Sequence, residues 1–200
     1  MLTKRFRRRV ERDERGAALV EFALVFPLFM TLVLGMFSGG LAYNRKNTLI
    51  NAAREGARYG ATLAPASVDP GPPSAGIDEW ARQVTDAVEQ NAEGDLRDGV
   101  AGREICVAYL WPAGDADAGV PHKEKSHRNL RPETGPDTML AGDDAGATLS
   151  TLQCFADGRP AAEKRVQVRV TRRSEINLLF FDIPVTLTAE SVTRFEATEY

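Results

Sequence analysis

One long apolar run near the N-terminus dominates the hydrophobic pattern of this chain. Residues 22–37 include no charged side chain, and with its flanks the run extends over residues 17–43. Because a helix needs roughly 20 residues to cross the hydrocarbon core of a bilayer, the pattern predicts one transmembrane helix. Pro27 lies inside it and removes one backbone hydrogen bond, so we expect a local kink at this position.

The helical pattern continues beyond the apolar run. Residues 43–64 contain no proline, and their small residues recur at helical spacing along one narrow face. Glycine inside a helix costs about 1 kcal/mol relative to alanine, so Gly56 and Gly60 indicate that another element packs closely on this face. We expect that element to be the protein's own sheet, and a partner subunit is the alternative.

The remaining sequence predicts an α+β domain. An apolar stripe of helical period predicts a second, short helix at residues 77–91. Alternating apolar and polar residues predict three or four strands of a mainly antiparallel sheet. The strand candidates are residues 103–111, 148–155, 164–173 and 184–196. Residues 112–147 are rich in glycine, aspartate and proline but poor in apolar residues, which predicts a long mobile loop.

Charge is distributed unevenly along the chain. Residues 1–16 form a basic leader with seven basic and three acidic residues, whereas the rest of the chain is acidic. By the positive-inside rule, this asymmetry predicts a single-pass membrane protein with a cytoplasmic N-terminus and an extracytoplasmic domain at residues 44–200. An acidic domain gives no electrostatic reason to bind nucleic acid, so we expect no nucleic-acid partner.

The two cysteines of the sequence, Cys106 and Cys154, both follow the predicted membrane helix. An oxidising compartment outside the membrane allows such a pair to form a disulfide. That bond would close a loop of about 48 residues and stabilise a small core by a few kcal/mol. Two buried thiols are the alternative.

No pattern of catalytic or metal-binding residues stands out. His122 and His127 lie in a polar segment with Glu124 between them, a spacing that gives at most a chance metal site. No serine has the surroundings of an activated nucleophile. We therefore predict a non-enzymatic protein without a cofactor or a metal site. An anchored hydrolase that uses the two histidines is the weaker alternative.

The start of the apolar run carries the most distinctive motif. Basic residues lead to Gly16, two alanines follow, and Glu21 is the one carboxylate in the run. A carboxylate near the hydrocarbon edge is costly unless it is paired. Cleavage between Gly16 and Ala17 would create an ammonium group one helical turn from Glu21, and the two charges would neutralise each other. The alternative is a glutamate that extends to the interface of an ordinary anchor.

Three segments of the sequence carry a family resemblance. They are RGAALVEFALVFPLF from Arg15, NAAREGARYGA from Asn51 and VTLTAESVTRFE from Val185. Together they resemble the TadE-like family, the pseudopilins or minor pilins of the tight-adherence (Flp) pilus. The resemblance implies a pilin-like fold for the domain after the membrane helix, and a role in pilus assembly.

The same resemblance implies cleavage after Gly16 by a prepilin peptidase, with Glu21 as the pilin-type glutamate. It implies four partners: the lipid membrane, the prepilin peptidase, other pilins and the tight-adherence assembly platform. Association with the pilus would follow. The alternative function is an unprocessed, membrane-anchored extracytoplasmic binding domain in which Glu21 has no special role.

Overall fold

The computed structural model describes residues 3–63, 73–111, 116–117, 120–121, 125–143, 153–160 and 163–195. The two helices are α1 (Thr3–Thr62) and α2 (Pro73–Asn91). The strands are β1 (Glu104–Trp111), β2 (Ala116–Asp117), β3 (Val120–Pro121), β4 (Lys125–Arg131), β5 (Thr138–Asp143), β6 (Arg165–Asn177) and β7 (Asp182–Arg194). The predicted α+β class with a long N-terminal helix is confirmed.

The described residues fall into two compact units. One contains α1 up to Ala42 together with residues 175–184, and the other contains the rest of α1, α2 and most of the sheet. The second unit holds the principal hydrophobic core.

The main sheet has five strands in the order β5-β4-β1-β6-β7 and is antiparallel. Its central strand, β1, is buried along residues 105–110. Opposite Val107 lie Asn129 of β4 on one side and Val168 of β6 on the other. The short strands β2 and β3 pair only with each other.

The core lies between one face of this sheet and the two helices. Ile105, Val107 and Tyr109 of β1 pair with three valines of β6, and all six side chains are buried. Because successive side chains of a strand point to opposite faces, this alternation builds a continuous apolar surface on one face. Residues of α1 and α2 cover it; they are Leu49, Ala52, Ala53, Ala57, Ala61, Trp80, Val84 and Val88.

Gly56 and Gly60 mark the place where α2 packs against α1. A Cβ atom at position 56 would overlap with Cγ2 of Val88. At position 60 it would lie 3.1 Å from atoms of Trp80, Val84 and Val166. The indole Nε1 of Trp80 also donates a hydrogen bond of 3.1 Å to the carbonyl of Gly60. The element expected on this face was the protein's own sheet. At Gly60 a valine of β6 does lie there, together with α2, but at Gly56 the element is α2.

A disulfide between Cys106 and Cys154 fastens residues 153–160 to the opposite face of the sheet. Ala108 and the two cysteines form a small second cluster there. Gln167 of β6 accepts a hydrogen bond from the backbone N–H of Cys154 and donates one to the carbonyl of Phe155. Residues 153–160 therefore cover this face of the sheet, and they are held there by the disulfide and by hydrogen bonds, since few apolar side chains lie on this face.

The prediction of a long loop at residues 112–147 is wrong for residues 125–143. This part contains β4 and β5, which raise the main sheet from the predicted three or four strands to five. The reason is that polar contacts hold β4 in the sheet. Its sequence, KSHRNLR, has no alternating hydrophobic pattern that would predict a strand. Buried Asn129 donates hydrogen bonds of 3.0 Å to Thr85 of α2 and to Asp137.

The other strand predictions agree with the structure to different degrees. Residues 103–111 and 164–173 correspond to β1 and β6, although β6 continues to Asn177. The predicted last strand corresponds to β7, which begins at Asp182. In the weaker candidate at residues 148–155, residues 148–152 lie outside the described residues, and residues 153–155 are not in a strand.

Arg131 of β4 is the centre of an ion-pair network that ties the sheet to α2. Its guanidinium lies 2.7 Å from Asp86, 3.0 Å from Glu89 and 2.8 Å from Asp137. The hydrogen bond from Arg131 holds the pKa of Asp137 below its ordinary value, with a further bond from Asn129, against the opposing effect of burial. Protonation of Asp137 is therefore disfavoured in the folded state.

We expect the domain to lose stability as the pH falls below about 4, the ordinary range of an aspartate pKa. Because the pKa of Asp137 is lower in the folded than in the unfolded state, its contribution is present above the unfolded pKa. It is lost as the pH falls through the folded pKa. Thermal unfolding at pH 7 and at pH 3 measures this, and Asp137→Asn should flatten the dependence. Glu93→Gln, a change at an exposed carboxylate, is the control and should leave it unaltered.

We expect Gly56→Ala to destabilise the domain. Overpacking costs about 1–3 kcal/mol, which exceeds or offsets the gain of about 1 kcal/mol from replacing a helical glycine. Thermal unfolding of the full chain in detergent measures the change. Gly39→Ala is the matched control, since apart from its own neighbouring helix backbone no described atom lies within 4 Å of the added carbon there. Adding Val88→Ala should recover part of the loss, whereas simple additivity of the two changes would contradict the overlap.

Candidate functional site

The first part of α1 exposes apolar side chains on all sides. Its most apolar window has no buried residue, and by length and composition this helix could cross a membrane. The exposed side chains are Leu19, Val20, Phe22, Leu24, Val25, Phe26, Leu28, Phe29, Leu32, Val33, Leu34, Met36, Phe37 and Leu41. A helix that is apolar all round needs an apolar environment, and the described residues of its own unit leave most of this surface open.

Gly16, Ala17 and Glu21 lie in this helix, and all three are exposed. Ala17 and Glu21 are four residues apart and therefore lie on one face, one turn from each other. Side chains in a helix lean towards its N-terminus, so the Glu21 carboxylate leans towards Ala17. Among the described side chains, none forms an ion pair or a hydrogen bond with Glu21.

Pro27 lies inside the helix, and α1 continues on both sides of it. As proline has no N–H, the carbonyl of Ala23 lacks the donor that it would have in a regular helix. One turn later, the hydroxyl of Thr31 donates a hydrogen bond of 2.8 Å to the carbonyl of Pro27. The kink at this position remains a prediction.

Residues 178–183, which we call the hairpin tip, contact the apolar helix within the same unit. They join β6 to β7 and include the first two residues of β7. From the sequence alone, this stretch is a strongly apolar connection between the strands predicted at residues 164–173 and 184–196. A Cβ atom at Gly35 would lie 3.1 Å from Cδ2 of Leu178. The hydroxyl of Ser38 donates a hydrogen bond of 3.0 Å to the carbonyl of Asn177. The run of apolar residues LLFFDI was the available signal, because a turn in water does not require it.

The remaining candidate residues lie apart from this segment. Gly56, Gly60 and the disulfide of Cys106 and Cys154 belong to the second unit and hold its core together. His122 and the side chain of His127 lie outside the described residues. Within the part of the chain that is described, no group of three histidine, cysteine or carboxylate side chains is arranged to hold a metal ion.

Comparison with known proteins gives a family match. The family model described as TadE-like protein matches residues 16–58, which confirms the predicted resemblance over this segment. The segment begins at Gly16 and covers about a fifth of the chain, and the likeness predicted for β7 lies outside it. Neither the curated proteins nor the solved structures gave a match. The match and the exposed helix together support a membrane protein related to the tight-adherence pilus.

Proposed function

We propose that this TadE-like chain is a membrane-anchored minor pilin or pseudopilin that takes part in the assembly of a tight-adherence pilus. The observation that carries the proposal is the match of residues 16–58, because it contains both the Gly16–Glu21 motif and the uncovered apolar helix. In this function the protein is structural rather than enzymatic. Its partners are the lipid membrane, a prepilin peptidase, other pilins and the assembly platform.

The charges of the chain support an N-terminus in the cytoplasm and a domain on the other side of the membrane. The leader is basic, with seven basic and three acidic residues, and such leaders stay on the cytoplasmic side. The disulfide of the domain supports the same orientation, since disulfides persist in oxidising compartments outside the cytoplasm.

In the proposed maturation step, the peptidase hydrolyses the peptide bond between Gly16 and Ala17. Water supplies the oxygen of the new Gly16 carboxylate, and Ala17 retains the nitrogen as an ammonium group. The leader leaves with its net positive charge. The mature helix then begins with an ammonium group and, one turn later, the Glu21 carboxylate.

The ammonium of Ala17 and the carboxylate of Glu21 would neutralise each other near the hydrocarbon edge. Burying either charge alone in the hydrocarbon costs free energy, and a hydrogen bond between the two charges lowers that cost. The partner charge comes from the same chain or from a neighbouring subunit, because Glu21 is exposed on the helix surface. This pairing gives a physical reason for a carboxylate at this position of a membrane helix.

We expect the mature protein to begin at Ala17 when the full chain is expressed with its prepilin peptidase. N-terminal sequencing and intact-mass measurement of the membrane fraction test this. Gly16→Val should block the cut, because it places a branched side chain on the residue directly before the cleaved peptide bond. Gly39→Val is the matched control and should still be processed. Retention of Met1, or a cut near Gly40, would contradict the proposal.

We expect Glu21→Ala to abolish pilus assembly while membrane insertion survives. The reason is that the apolar surface of the helix is unchanged, but the charge that pairs with the Ala17 ammonium is lost. Immunoblots of sheared pili measure assembly, and resistance to alkaline extraction measures insertion. Glu55→Ala, which removes an exposed carboxylate in the same helix beyond the apolar run, is the control. If assembly is normal in the Glu21 variant, the protein is an anchored binding domain instead.

A further inference from the structure

We propose that the hairpin tip inserts into the membrane surface beside α1 and gives the protein a second contact with lipid. The inference needs α1 to span a membrane, but it does not depend on cleavage or on the role in a pilus. The partner of the hairpin tip in this proposal is the lipid bilayer, at the boundary between headgroups and acyl chains.

The exposure of the hairpin tip is the first argument. Phe180 is 74% exposed, Phe181 57%, Leu179 44% and Ile183 42%. Among the described residues, every exposed large apolar side chain lies either on α1 or in the hairpin tip. Contiguous apolar surface of this kind marks a contact with a membrane or another molecule rather than a surface in water.

The position of the hairpin tip is the second argument. Leu178 packs over Gly35, and the hydroxyl of Ser38 binds the carbonyl of Asn177. Both helix residues lie inside the predicted span at residues 17–43. Gly35 precedes Ala42 by about 10 Å along the helix, at 1.5 Å per residue. The contacts therefore hold the hairpin tip at the level of the last turns of the apolar run, which is where a spanning helix meets the membrane surface.

The backbone of the hairpin tip is suited to such a position. Non-helical backbone enters a membrane only where its polar groups have partners. The N–H of Leu178 donates a hydrogen bond of 3.0 Å to the carbonyl of Phe181, and Ser38 provides the donor for Asn177. The exposed carboxylate of Asp182 follows directly, and it limits the depth. We therefore expect a shallow insertion of about 5–10 Å, as for other interfacial segments.

Lipid is favoured over a protein partner because the apolar surface of the hairpin tip continues that of α1 in the same unit. Any bilayer that surrounds the helix at Gly35 and Ser38 also surrounds the residues that contact them. A second copy of this chain or a neighbouring pilin would have to displace that lipid first.

Tryptophan fluorescence of the full chain in nanodiscs with one copy each tests the proposal. Phe180→Trp and, independently, Phe181→Trp place a probe in the hairpin tip, and the unsubstituted chain gives the signal of its own tryptophans. We expect the added emission at shorter wavelength than in water, with strong quenching by lipids brominated near the carbonyl end of the acyl chain. Quenching by lipids brominated at the chain end should be weaker.

Two matched variants test the premise, that α1 spans the bilayer, independently of the hairpin tip. Phe29→Trp, in the middle of the apolar run, should be quenched most by lipids brominated at the chain end. Tyr59→Trp, beyond the run in α1, should be unquenched. If Phe29→Trp is also unquenched, α1 does not span the bilayer and both ideas fail. If Phe29→Trp is quenched and neither tip variant is, the hairpin tip proposal alone is overturned. A shift of tip emission only in discs with two copies assigns the tip to protein contact, which likewise overturns it.

Discussion

The uncovered apolar surface of α1 is the constraint on which the rest of the structure depends. Side chains from Leu19 to Leu41 lie mostly exposed, and water is a poor solvent for so large an apolar surface. The described residues of the same unit contact it at Gly35 and Ser38, and most of the surface is left open. The first part of the helix is therefore built for lipid or for other helices, while the residues after Ala42 are built for a protein core.

The two parts of α1 differ in the size of their side chains. In the apolar run, leucine, valine and phenylalanine face outwards on all sides. In the second unit, alanines and Gly56 form the buried face, and α2 approaches so closely that Val88 occupies the place of a side chain at Gly56. Small residues on α1 thus allow the large side chains of α2, Trp80, Val84 and Val88, to pack directly against its backbone. The disulfide adds stability on the face of the sheet that has little apolar surface.

The parts of the fold that depend on apolar periodicity could be predicted from the sequence, and those that depend on polar partners could not. The alternating valines of β6 and the apolar stripe of α2 have this periodicity. In β4, by contrast, the stabilising contacts are those of Asn129 and Arg131 with Thr85, Asp86, Glu89 and Asp137. The contacts with α2 join residues that are 42 to 45 positions apart, so a local pattern does not contain them. The motif at the candidate site could be recognised because Gly16, Ala17 and Glu21 lie within six residues of one another. The contact of Leu178 with Gly35 could not, because it joins distant parts of the chain.

The proposed cleavage and the hairpin tip bear on one physical question, namely how firmly the helix is held in the membrane. The basic leader resists passage through the hydrocarbon core, since each charge is costly to bury there. After cleavage, only the pair formed by the Ala17 ammonium and the Glu21 carboxylate would remain at that end. The hold on the other side would then come from the domain and from the apolar side chains of the hairpin tip. If both proposals hold, charge no longer resists movement of the helix at its N-terminal end, and a shallow apolar contact is what retains it at the opposite surface.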